Sequence, residues 1–97
     1  MITRIVRLEF RPEAVADFLQ IFEATKEQIR AFPGILDLQL HRDTTLPHVY
    51  YTLSIWQDEA ALHVYRDSAL FRGVWPQTKA LFGGPPQAFS LDRVHFA

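Results

Sequence analysis

The residues best equipped for chemistry lie between Trp56 and Phe82, in the run WQDEAALHVYRDSALFRGVWPQTKALF. Trp56 ends an alternating segment, and Leu62, Tyr65, Phe71 and Trp75 follow at helix-like intervals. Such a run lines a cleft with aromatic rings, a surface suited to a flat aromatic ligand. Trp56 either walls that cleft, its indole N–H offering one hydrogen bond, or plugs the core between sheet and helix. Tyr65 shares the stripe of Ala61 and Leu62, so it packs with its hydroxyl at the rim or moves a proton. His63, beside that stripe, has an intrinsic pKa suited to a general base. Trp75 precedes Pro76 at an expected helix break, where its ring closes a hydrophobic lid or stacks over a ligand. Arg4 shares a strand face with Ile2, Val6 and Leu8. Its guanidinium either snorkels to water or enters the cleft and holds a phenolate or enolate oxygen.

Other chemistries are excluded or disfavoured. The chain has no cysteine, which removes thiolate nucleophiles, disulfides and cysteine-ligated zinc. Its four histidines, His41, His48, His63 and His95, neither recur at i, i+4 nor form an HExxH-type arrangement, so no metal site is expected. Ten basic residues against eleven acidic ones create no field that would gather nucleic acid or an anionic membrane. The opening segment MITRIVRLEF alternates polar and apolar residues, unlike a signal peptide, and no segment has the length of a membrane span. A soluble, cytoplasmic protein is expected, and 97 residues suffice for one domain with one modest core.

The elements that must position these residues are legible from periodicity. Ile2 to Phe10 alternates as a strand, with Ile2, Arg4, Val6, Leu8 and Phe10 on one side. Arg11-Pro12-Glu13 opens a helix whose face carries Val15, Phe18, Leu19, Phe22 and Ile29, and Phe32-Pro33-Gly34 stops it. Ile35 to Arg42 forms a second strand with Leu36, Leu38 and Leu40 together, and His48 to Trp56 a third. Asp58 is placed to cap the next helix and Ser68 its continuation. Pro76 must start or kink a further turn, Gly83-Gly84-Pro85-Pro86 ends the helix, and Gln87 to Phe96 supplies the last strand. The order βαββαβ folds through right-handed crossovers into a ferredoxin-like antiparallel sheet, an α+β class with both helices on one face.

The third strand sets a further requirement. Tyr50, Thr52, Ser54 and Trp56 point one way, and Val49, Tyr51, Leu53 and Ile55 the other, and both sets are largely apolar or aromatic. Helices cover only one side of such a sheet. The economical cover for the other is an identical sheet, so a homodimer through the Val49, Tyr51, Leu53 and Ile55 face is expected. The alternative cover is a long loop, and no spare loop has the length.

Trp56, Leu62, Ser68, Phe71 and the Phe89-Ser90-Leu91 strand, with the Phe32-Pro33-Gly34-Ile35 helix end, resemble the antibiotic biosynthesis monooxygenase domain family across nearly the whole chain. The resemblance implies one such domain over residues 1–97, built as a dimeric α+β barrel of the ferredoxin-like type. Haem-degrading relatives combine a first-strand Asn, a Trp ending the third strand and an iron-ligating His on the second helix. The matching residues here are Val6, Trp56 and Trp75, so haem degradation by that mechanism is disfavoured. Relatives that oxidise polyketide aromatics without a cofactor share Trp56, but their Asn four residues earlier is Thr52 and their Tyr six residues later is Leu62.

The resemblance therefore implies a cofactor-independent monooxygenase acting on an electron-rich aromatic or quinol. Trp56 would position the ring, Tyr65 or His63 would handle the proton, and Arg4 would hold the anion. Val6, Tyr50, Thr52, Phe71 and Trp75 would complete the substrate pocket. The rival expectation is a non-catalytic dimer that binds a small apolar ligand or serves in a stress response.

Overall fold

The computed structural model describes residues 1–96. Its elements run β1 (Ile2–Glu9), a short 3₁₀ turn (Pro12–Ala14), α1 (Val15–Arg30), β2 (Ile35–Arg42), β3 (Val49–Trp56), α2 (Glu59–Arg66), α3 (Ala69–Lys79) and β4 (Gln87–Asp92). β1 pairs with β3 and β4, β2 pairs with β3, and every pairing is antiparallel. The strand order β2-β3-β1-β4 is the expected ferredoxin-like sheet, with the helices on one face.

The expected barrel is not formed. The sheet is open: β2 and β4 are its edges, each paired on one side only. Closing a barrel requires enough tilted and staggered strands to bring the edges together, and four twisted strands leave them apart.

Local chemistry sets the element ends. Asp58 accepts the amide of Ala61 at 2.8 Å and starts α2; Ser68 accepts the amide of Phe71 at 3.1 Å and starts α3. Gly34 turns the chain after α1 with φ of 91°, a conformation side-chain-bearing residues rarely adopt. A Cβ there would lie 2.5 Å from that of Ala61, so the glycine also lets β2 begin against α2. Pro76 does not break the helix as expected. α3 runs through it to Lys79, because a single missing N–H is tolerated on a helix face open to water.

Two expectations about strands need correction. A β-bulge between Ile35 and Asp37 shifts the alternation of β2, so Ile35 is buried and Leu36 is 46% exposed, while Leu38 and Leu40 face the helices. β4 ends at Asp92 rather than Phe96, because Asp92 pairs with Ile2 at the start of β1 and the partner strand runs out.

The core has two centres. Leu8, Phe10, Phe18 and Tyr50 pack at one end; Ile29, Ile35, Trp56 and Leu62 pack at the other. On the opposite side of the sheet, Ile5 lies between Leu53 and Phe89, and Thr3 between Ile55 and Leu91. No helix of the described residues covers this face, and Phe89 and Leu91 are 51% and 48% exposed. Val49, expected on the same surface, is wholly buried within the chain, where the turn closed by Leu46 and Asp43 brackets it.

Candidate functional site

A cavity of about 280 Å³ lies between the sheet and the helices, lined by members of both core centres. The sheet supplies its floor as rows of paired residues. One row carries Leu38, Ser54 and Arg4, with Ser90 paired beside Arg4; the next carries Thr52, Val6 and Ala88. The helices supply the roof: Phe22 and Thr25 from α1, Leu62 and Tyr65 from α2, Phe71 and Trp75 from α3. Exposed lining residues Arg66, Pro86 and Ala88 mark the mouth, between β4 and the helices.

The aromatic lining is one connected train of rings. Trp56 and Tyr65 lie 5.0 Å apart between centroids, Tyr65 and Phe71 5.3 Å edge to face, and Phe71 and Trp75 5.7 Å in a near-parallel stack. Each ring restrains its neighbour, so the wall is preorganised for a planar guest.

Polar groups are few, and several are already engaged. Trp56 is 1% exposed and its Nε1–H donates to Ser54 Oγ at 2.9 Å. The indole therefore presents its ring to the cavity, while the N–H expected to serve a ligand is held by the protein. The hydroxyls of Thr25 and Thr78 donate to backbone carbonyls of Ile21 and Val74, one turn back in their own helices. Thr52, Tyr65 and the two arginines remain as the polar groups facing a guest.

Burial pushes the Tyr65 phenol up to about 12, so at neutral pH it keeps its proton and is available as a hydrogen-bond donor. Arg4 is half-buried and donates to Ser90 Oγ at 2.9 Å. Burial, and then the neighbouring charge of Arg66, hold its pKa below the usual arginine range.

Of the residues expected at the site, Arg4, Val6, Thr52, Trp56, Tyr65, Phe71 and Trp75 all line this cavity. Tyr50 and His63 do not. Tyr50 is buried in the first core centre, its ring 5.6 Å from that of Phe18 and 6.1 Å from that of Phe10. His63 is a surface residue, 65% exposed, with its Nε2 3.6 Å from the Glu59 carboxylate one turn earlier. No His, Asp or Glu lines the cavity among the described residues.

Arg66 and Ser54 are site residues that sequence reading missed. Arg66 lies four residues after Leu62, on the stripe that also carries Tyr65. A cation on a core stripe was the available signal. Ser54 sits two residues before Trp56 on the same strand face, and nothing local reveals that its hydroxyl receives the indole proton.

No group of three or more potential metal ligands exists among the described residues. Val6 and Trp75, the positions at which the sequence resemblance set the haem-handling residues, both line the cavity, and neither side chain can ligate iron. The cavity does not fit haem ligation of that kind. No helix of the described residues is long and apolar enough to cross a membrane.

Solved structures place this architecture among known folds. An antibiotic biosynthesis monooxygenase superposes with a TM-score of 0.91 at 24% identity, covering 98% of this chain and 100% of the other. A protein of Caulobacter crescentus gives 0.90 at 25% identity, with 97% and 90% covered. A protein of Mycobacterium tuberculosis gives 0.90 at 20% identity, with 99% and 97% covered. No curated protein matches the chain. The family model for antibiotic biosynthesis monooxygenases matches residues 1–74, from β1 into α3. That match spans most of the floor and roof just described, and is consistent with a monooxygenase-type role in general. The chain therefore belongs to the antibiotic biosynthesis monooxygenase family.

Proposed function

We propose that this protein is a cofactor-independent monooxygenase acting on a small electron-rich aromatic or hydroquinone-like substrate. The observation that carries the reading is the cavity of about 280 Å³, walled by a preorganised train of aromatic rings and holding cationic donors but no carboxylate or imidazole among its described lining residues. With no protein base at hand, the site favours substrate ionisation by stabilising the anion. Arg4 lowers the substrate hydroxyl's pKa and the proton leaves to solvent through the mouth. Tyr65, fixed as a donor, shares the developing oxyanion.

The electron-rich anion then reduces O2 by one electron, and the resulting radical pair combines to form a carbon–oxygen bond. At a ring CH2 flanked by aromatic rings, the hydroperoxide so formed loses water to give a ketone. One oxygen atom ends in the product and the other in water, and both C–H bonds of that carbon are consumed. Substrate is the sole reductant and O2 the sole oxidant. Exclusion of bulk water protects the anion and the radical pair.

Oxygen uptake by the purified protein with an anthrone or hydroquinone, with one O2-derived atom recovered in the product, tests this. Uptake well above the uncatalysed rate, reduced by Arg4→Gln, is expected; uptake equal to the blank removes the proposal.

The absence of any acid or histidine along the described cavity wall also favours a second reading, a small-ligand-binding protein without turnover. Saturable quenching of Trp56 and Trp75 fluorescence by aromatic ligands, with no oxygen uptake, is its signature.

We also propose that two copies pack through the helix-free sheet face carrying Tyr51, Leu53 and Ile55, with Phe89 and Leu91 enlarging the patch. An uncovered apolar surface of this kind is unusual on a monomer, and face-to-face sheet packing buries it.

A further inference from the structure

The cavity contains more positive charge than an aromatic hydrocarbon needs. Arg4 rises from the floor on β1, directly across from Ser90 on β4 and Ser54 on β3. Arg66 reaches the same cavity from the last turn of α2, at the exposed mouth. Both arginines line this one cavity, and the charge of Arg66 adds to burial in disfavouring the charge on Arg4. Arg66 is exposed and shares its charge with water, but the half-buried Arg4 beside an apolar wall is favoured when an anion offsets the two charges.

Nothing in the described chain does. The ion pairs present involve Arg7, Arg11, Lys26 and His63, and neither Arg4 nor Arg66 takes part in one. Asp92, two residues beyond Ser90 on the same strand face, pairs with neither, and nor does Asp67 beside Arg66. Of the N–H donors on Arg4, one is directed to Ser90, whose hydroxyl orients the guanidinium plane without neutralising it. No other side-chain hydrogen bond engages Arg4 or Arg66 among the described residues, and both line the cavity that the aromatic train walls.

We infer that the natural ligand is a planar aromatic carrying a carboxylate, which Arg4 and Arg66 clamp at the mouth while Trp56, Tyr65 and Phe71 hold the ring. Carboxylate matches the guanidinium fork in plane and spacing, and one such group can bridge two arginines. The arrangement assigns the two cations different tasks. Arg66 at the rim captures the carboxylate, and Arg4, held by Ser90, shares it and sets the depth to which the ring enters, with further N–H donors left for a substrate oxyanion. The assignment rests on the proposed pocket function for its location but not for its chemistry, since anion recognition does not require turnover.

Calorimetric titration of the full chain with 2-naphthoate and with its neutral counterpart 2-naphthamide tests the inference. Naphthoate is expected to bind at least about tenfold more tightly, as hydrogen bonds to a charged group contribute more than neutral ones. Arg66→Gln and Arg4→Gln should each weaken naphthoate by about ten- to a hundredfold and leave naphthamide within about twofold. Arg4→Lys keeps the charge and loses the fork, and should fall between. Raising salt should weaken naphthoate only. Equal affinity for the two probes, binding of neither, or equal loss for both in the arginine variants would each overturn the inference. Selective naphthoate binding without oxygen uptake on any quinol would remove the oxygenase proposal and leave the clamp standing. Oxygen uptake on a neutral quinol with no preference for naphthoate would do the reverse.

Discussion

Replacing Ser54 by alanine isolates what holds the central indole. The Trp56 ring is 1% exposed, Ser54 is 9% exposed, and the Nε1–H to Oγ distance is 2.9 Å. Removing the hydroxyl leaves a buried N–H with no acceptor, which costs about 1–3 kcal/mol, more than the net worth of an ordinary hydrogen bond. For a domain of this size that corresponds to a fall in Tm of about 5–20 °C. Trp56→Phe removes the donor instead, together with part of a buried ring that packs against Phe32 and Tyr65. In the double variant neither polar group remains to be orphaned, so the two effects should add to less than their sum by about 1 kcal/mol. Denaturant unfolding of the four proteins measures the cycle, and the indole N–H resonance of Trp56 reports directly on its bond. In Ser54→Ala that N–H should exchange faster, and the ring should become free to offer it to an acceptor-bearing ligand. Additive single effects, or an alanine variant within about 0.5 kcal/mol of the parent, would refute the claim that Ser54 holds the indole.

Three further outcomes follow from other parts of the molecule. Tyr65 has its pKa raised from 10.0 to about 12 by burial, so the folded state favours the neutral phenol. Its contribution to stability is complete below pH 10 and lost as pH rises through 12, on the order of 2–3 kcal/mol, and Tyr65→Phe should flatten that alkaline decline in unfolding experiments. Gly34→Ala should destabilise by more than about 1 kcal/mol, because it meets both a φ of 91° and the Ala61 side chain at 2.5 Å; chemical denaturation checks this, and a neutral result would deny the close approach. Leu53→Asp places a charge in the middle of the uncovered sheet face, and sedimentation should report monomer where the parent is dimer; a monomeric parent would end the dimer proposal.

Several choices were local enough to read from the chain. Alternation in β1 and β3 separates the face that meets the helices from the face that does not, since successive side chains on a strand point to opposite sides. Asp58 and Ser68 cap the helices where expected, because a cap is a contact between residues three apart. Leu62 and Tyr65, three residues apart on α2, share one side by spacing and line the cavity, whereas Phe71 reaches it from the separate helix α3.

What periodicity assigns is a side, and what lies across from that side depends on every other element. The inserted residue at the start of β2 sends Leu36 outward, a slip that a count of alternate residues misses. Tyr50 and Thr52 share a strand face, yet Phe10 and Phe18 close over the first while the cavity opens above the second. His63 is one residue from Leu62, and a turn of about 100° per residue takes it out to Glu59 and water. The chain by itself thus determined the strands, the helices and the aromatic side of the sheet. Tertiary packing alone decided that four strands stay open, that the indole proton belongs to Ser54, and that Arg4 and Arg66 share one cavity. Those outcomes join residues distant in sequence, and distance and orientation between such residues are properties of the folded chain.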